Sequence, residues 1–217
     1  MVLPSPRFRP SRRAMLRGGA ALAVATTTVT ASAADAVPGA SRRAATPRPA
    51  GGGVSPADFP DVVWAPADAS NFTVATRPHD HPVEFVVIHV AQETFQDTIG
   101  IFQNPSSDVS AHYVVASADG RTAQCVHDAD IGWHAGNWDY NTRSIGIEHE
   151  GWVDEPAWFT DVLYERSAVL TAHLCESHGI PKTRAHIIGH NEVPGATHTD
   201  PGPLWDWERY LDLVNSA

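Results

Sequence analysis

Residues 84–90 read Glu-Phe-Val-Val-Ile-His-Val, and this stretch decides the fold. It is apolar at every position except Glu84 and His89, and it is rich in β-branched residues. A continuous run of this length, without polar alternation, marks a strand buried on both faces of a sheet. The neighbouring sequence fits around such a strand. Residues 94–103 predict a short helix ending before Pro105. Residues 112–117 predict a second strand, Asp119-Gly120 a hairpin turn, and residues 121–127 the returning third strand. Residues 144–150 predict a fourth. Thr160 can cap a long helix with Leu163, Leu170 and Leu174 along its apolar line, and Gly179 and Pro181 stop it. A short strand follows at 185–188. Trp207, Tyr210, Leu211 and Val214 fall at helical spacing on one face of a last helix. Helices interspersed with strands, plus one hairpin, predict an α/β domain with a mixed central β-sheet covered by helices.

The chain has 217 residues and a formal charge of −10. No acid precedes Asp35, whereas Arg7, Arg9, Arg12, Arg13 and Arg17 all lie in the first segment. Removing those five from the 15 Lys and Arg leaves 10 against 25 acids, a net of −15. Such a body repels nucleic acid and anionic lipid, so neither is an expected partner. Ser11-Arg12-Arg13 leads into a mild apolar run at 18–29, then Ala31-Ser32-Ala33. A basic start, a short apolar core and an A-x-A site predict a cleaved secretory signal over 1–33, of the twin-arginine type. The run is too short and polar to span a ~30 Å hydrocarbon core, so no stable membrane insertion is expected after cleavage. Residues 34–57 are rich in Ala, Pro, Gly and Arg and predict a flexible linker. Residues 58–217 then form the folded domain. Cys125 and Cys175 are either bridged, as an oxidising compartment permits, or two buried thiols.

Three segments carry chemistry. His89 ends the central strand, where ligands of open α/β sheets tend to sit, although a lone histidine there is more often structural. In Ser144-Ile145-Gly146-Ile147-Glu148-His149-Glu150-Gly151, alternation puts Ile145 and Ile147 on one face. Ser144, Gly146, Glu148 and Glu150 share the other, which reads as a groove floor or a solvated strand face. The third segment, 189–203, reads Gly-His-Asn-Glu-Val-Pro-Gly-Ala-Thr-His-Thr-Asp-Pro-Gly-Pro. Catalytic zinc takes three His or carboxylate ligands and leaves a position open, and His190, His198 and Asp200 are all candidates.

The combination VVIHV, SIGIEHEG and GHNEVPGATHTDPGP resembles the type 2 N-acetylmuramoyl-L-alanine amidases, a family that includes phage lysozyme-type amidases and peptidoglycan recognition proteins. The resemblance covers about residues 83–210. It implies Zn2+ held by His89, His190 and Asp200, a catalytic carboxylate at Glu148, and transition-state stabilisation by His198, where many relatives carry Lys. Some relatives carry Tyr just before the histidine of the second strand. Here that position is Ala111, which places more weight on Glu148. The loop Gly132-Trp133-His134-Ala135-Gly136-Asn137-Trp138 also matches. It suggests a groove wall in which Trp133, His134 and Asn137, with His112 of the second strand, bind substrate. The implied reaction is zinc-dependent hydrolysis of the amide between the muramyl lactyl group and L-alanine of peptidoglycan, by a secreted or wall-located enzyme. A non-catalytic peptidoglycan-binding protein of the same fold is the alternative.

Overall fold

The computed structural model describes residues 61–217. The expected signal (1–33), the linker (34–57) and the first residues of the domain lie outside them. Six strands form the main sheet: β1 (Val62–Trp64), β3 (Phe85–Val90), β4 (Tyr113–Val115), β5 (Thr122–Gln124), β7 (Ser144–His149) and β8 (Ile187–Gly189), in the order β1-β5-β4-β7-β3-β8. Strand β3 lies between β7 and β8, parallel to both, and its residues Val86 to Ile88 are completely buried. The β4–β5 hairpin is antiparallel, which makes the sheet mixed. A two-stranded antiparallel ribbon, β2 (Phe72–Thr73) with β6 (Ile131–Gly132), stands apart from it.

Among the described residues, four helices cover the sheet: α1 (Phe95–Gln103), α2 (Trp138–Arg143), α3 (Asp161–His178) and α4 (Trp207–Ser216). Thr94 caps α1 by accepting from the Asp97 N–H, and Thr160 caps α3 by accepting from the Leu163 N–H. Each satisfies an amide that the first turn leaves without a helical partner. Helix α3 ends at Gly179, whose φ of 69° is a left-handed conformation that glycine adopts without strain.

The two sides of the sheet have separate cores. Val86, Ile88, Ile145 and Ile147 pack under α3 and α4, with Leu163, Leu170, Leu174, Tyr210 and Val214. Val114 and Ala123 face the other side and meet Phe95, Ile99 and Phe102 of α1. This division settles the cysteines against a bridge. Cys125 belongs to the α1 core and Cys175 to the α3 core, and both are free, buried thiols. Burial raises the Cys125 thiol to about 12 and the Cys175 thiol to about 11, so neither forms a reactive thiolate at neutral pH.

Candidate metal and catalytic site

The parallel register of β3 and β7 sets Glu148 directly opposite His89. Both side chains leave the sheet on the face away from α3, because their neighbours Ile88 and Ile147 point into the α3 core. After β8 the chain turns through a short 3-10 segment, His190–Glu192, which brings His190 over the end of β3. The Asn191 N–H donates to the Asp200 carbonyl, closing the loop so that Asp200 returns beside His190.

Three donor atoms converge here. His89 Nδ1 lies 3.1 Å from His190 Nδ1 and 3.2 Å from Asp200 Oδ2, and His190 Nδ1 lies 3.2 Å from Asp200 Oδ1. All three residues are buried, and these atoms sit within 4.8 Å of one another. Burial works against the Asp200 charge, yet the imidazoles of His190 and His89 beside it outweigh it and hold this carboxyl well below the usual range. Burial lowers the basicity of His89 despite Asp200, so it stays neutral. Two imidazole nitrogens facing each other this closely repel unless a proton or a cation lies between them. Two imidazoles and one carboxylate are a donor set suited to zinc.

Glu148 flanks the triad. Its Oε1 is 4.0 Å from His89 Nδ1, and its Oε2 is buried without a hydrogen-bond partner among the described residues. Burial, with the nearby Asp200 charge, raises its pKa well above the ordinary carboxylate range. His198 is half-exposed, stacks on His190 with ring centroids 4.7 Å apart, and has its Nδ1 3.8 Å from Asp200 Oδ1. It therefore stands at the rim of the triad.

The four residues expected to bind substrate occupy different positions. His112 is fully buried within the sheet, where its Nδ1 accepts from the Gly146 N–H and its Nε2 lies 3.2 Å from the Asp130 carbonyl. A residue so enclosed cannot contact a ligand. His134 is only 5% exposed and lies behind the triad, its Nδ1 3.0 Å from His89 Nε2. Trp133 is half-buried and donates its indole N–H to Thr73 Oγ1. Asn137 caps α2 through Oδ1 and donates Nδ2 to the Pro194 carbonyl, so it ties the α2 entrance to the loop that carries His190 and Asp200. Of the loop's aromatic residues, Trp138 is the exposed one, at 56%.

Two supporting residues carried no sequence signal. Asn141 Oδ1 accepts from the backbone N–H groups of both His134 and Ala135, and so holds the His134 loop. Arg77 is a buried guanidinium that donates to the carbonyls of Asp128, Thr142 and Ser144. Their partners are backbone atoms, six or seven residues away for Asn141 and more than fifty for Arg77, which side-chain types alone do not reveal.

The profile of the N-acetylmuramoyl-L-alanine amidase family matches residues 79–203. N-acetylmuramoyl-L-alanine amidase A of Achromobacter lyticus is 31% identical over 177 residues, spanning 74% of this chain and 97% of that protein. The 1,6-anhydro-N-acetylmuramyl-L-alanine amidase AmpD of Haemophilus influenzae is 39% identical over 113 residues, 49% of this chain and 59% of that protein. Among solved structures, an AmpD crystal structure superposes with a TM-score of 0.59 at 26% identity, covering 72% of this chain and 96% of that one.

Proposed function

Because the chain belongs to the N-acetylmuramoyl-L-alanine amidase family, whose members hydrolyse an amide of peptidoglycan, we propose that it does so with zinc, using Glu148 as its proton carrier. The supporting observation is the placement of Glu148 against His89, with one buried carboxylate oxygen left without a partner. His89, His190 and Asp200 would hold the ion, which when bound supplies a Lewis acid that polarises the scissile carbonyl and acidifies water toward a pKa of ~7. Glu148 Oε2 takes the proton of the attacking water as its oxygen bonds to the lactyl carbonyl carbon. The same oxygen then returns that proton to the L-alanine nitrogen as the C–N bond breaks, giving a lactyl carboxylate and a free stem peptide. His198, at the rim, donates an N–H to the oxyanion. Trp138 supplies exposed apolar surface on the α2 side for the muropeptide.

Peptidoglycan digestion followed by mass spectrometry, with zinc and with chelator, tests this reading. Free stem peptides that vanish with chelator are expected. Peptides that stay glycan-linked in both samples would identify a binding protein instead.

The Arg12-Arg13 pair and the Ala31-Ser32-Ala33 site support export as a folded enzyme to the wall or medium. The described residues contain no helix long and apolar enough to cross a membrane. The secreted chain should begin at Ala34, and Arg12→Lys with Arg13→Lys should retain it in the cell. Recovery of Met1 from the medium would refute cleavage.

A further inference from the structure

Behind the metal triad runs a line of hydrogen bonds through His134 and Ser144, while Asp200 on the near side has His190 as a donor. The far end of the line is the Tyr140 backbone carbonyl, which can only accept. Ser144 donates its hydroxyl to that carbonyl at 2.6 Å. Ser144 Oγ, 3.3 Å from His134 Nε2, must then accept, which places the His134 proton on Nε2. A neutral imidazole carries one N–H, so His134 Nδ1 is a bare lone pair. It faces His89 Nε2 at 3.0 Å and must accept from it. His89 Nδ1 is thereby left without a proton, and this is the atom that faces His190 and Asp200.

We infer that His134 is a positioning residue which, through Ser144 and the Tyr140 carbonyl, fixes His89 in the tautomer that presents Nδ1 to the metal. The inference rests on reading His89 Nδ1 as a metal donor. The strand below is shaped for this ring. A Cβ on Gly146 would lie 2.5 Å from His134 Cγ, so a side chain there would displace the imidazole. The other histidine of the triad has no such line, since His190 Nε2 is buried without a partner among the described residues. His89 is thus the ligand whose orientation the fold sets in advance, as hydrogen bonding to the remote nitrogen of a metal-bound histidine generally does.

The test reads the tautomer directly. Imidazole nitrogens of the metal-free protein, labelled with ¹⁵N and recorded at pH 7.5, should show the His89 proton on Nε2. In His134→Phe, which has no acceptor, both tautomers should appear, and zinc affinity, measured by competition with a chromogenic chelator, should fall 10–100-fold. His134→Gln, whose carbonyl can accept from His89, should restore the single tautomer and most of the affinity. Should His134→Phe fail to fold, Ser144→Ala serves, because without the hydroxyl His134 can move its proton to Nδ1 and mix the His89 tautomers. A wild-type His89 protonated on Nδ1, or a tautomer unchanged in both His134→Phe and Ser144→Ala, would overturn the inference. Wild-type protein with the Nε2 proton but no zinc affinity would sink the metal reading alone.

Discussion

Glu148 and Asp200 are both buried carboxylates at one site, yet their surroundings push them in opposite directions. Asp200 has the imidazoles of His190 and His89 beside it and stays charged, whereas Glu148 has burial and a like charge and holds a proton more readily. One is suited to holding a cation and the other to moving a proton. Asp200→Ala and His190→Ala should therefore lose zinc and turnover together. Glu148→Gln, isosteric but unable to accept the proton, should keep zinc and lose about 10²–10⁴ in kcat. Metal analysis beside kinetics separates the two, and near-normal turnover in Glu148→Gln would remove its assigned role. His198 stands on the half-exposed rim beside Asp200 rather than among the converging donors. His198→Ala should bind zinc normally and lose about 10²–10³ in kcat, as expected for one oxyanion donor. Loss of metal in His198→Ala, with retention in Asp200→Ala, would reverse the ligand assignment.

Strand β7 shows what an alternating sequence reveals about an element and what it hides. Its alternation correctly separates Ile145 and Ile147, in the α3 core, from Gly146 and Glu148 on the site face. Glu150 follows the same alternation but serves a different end. Its two oxygens accept from the Phe95 and Ser117 N–H groups, tying the start of α1 to the hairpin. Glu150→Ala should cost about 2–4 kcal/mol of stability by leaving two amides unpaired, with zinc affinity unchanged. Chemical denaturation and zinc titration check this, and a variant as stable as wild type would show that those amides find other partners. The long or strongly patterned elements were legible in the sequence: the buried run of β3, the Asp119-Gly120 hairpin, and the Thr160 and Gly179 ends of α3. Strands β1, β2 and β6 and helix α2 were not. They are two to six residues long and are held by partners remote in the chain, so no local period announces them. The clustering of histidine and aspartate in a Pro/Gly-bent loop pointed to His190, His198 and Asp200 without choosing among them, and only the family resemblance joined His89 to His190 and Asp200, the group whose donor atoms converge. The depth of a histidine was not legible. His112 and His134 share a residue type with His89 and His198, and only the packing shows that the first two lie behind the site.

At the scale of the molecule, the buried histidines tie stability to pH. Burial holds His112 and His149 down to about 3, and it lowers His89 and His134 as well. In the unfolded chain each would titrate near 6.5. As pH falls through 6.5 the unfolded state takes up protons that the folded state refuses, so the equilibrium moves toward unfolding. The contribution of each group is whole above pH 6.5 and is lost progressively down to the folded value, at up to about 1.4 kcal/mol per pH unit. Asp128 and Asp200, with lowered pKa values, add losses of the same sign only below about 4. Glu148, whose pKa is raised, acts in the opposite sense, because the folded state takes its proton first. Four histidines against one carboxyl leave a net loss in acid. Bound metal steepens this further, since its ligands must be unprotonated, so the histidine effect is isolated in chelator. Urea unfolding of the metal-free protein should give a stability that falls between pH 7 and pH 5. His149→Asn should be less stable than wild type at pH 7, having lost the hydrogen bonds to the His89 carbonyl and to Ser167. It should also show a shallower fall, by up to about 1.4 kcal/mol per pH unit. A wild-type stability that does not change between pH 7 and pH 5 would mean that the folded interior admits the protons, and that these imidazoles are not held neutral.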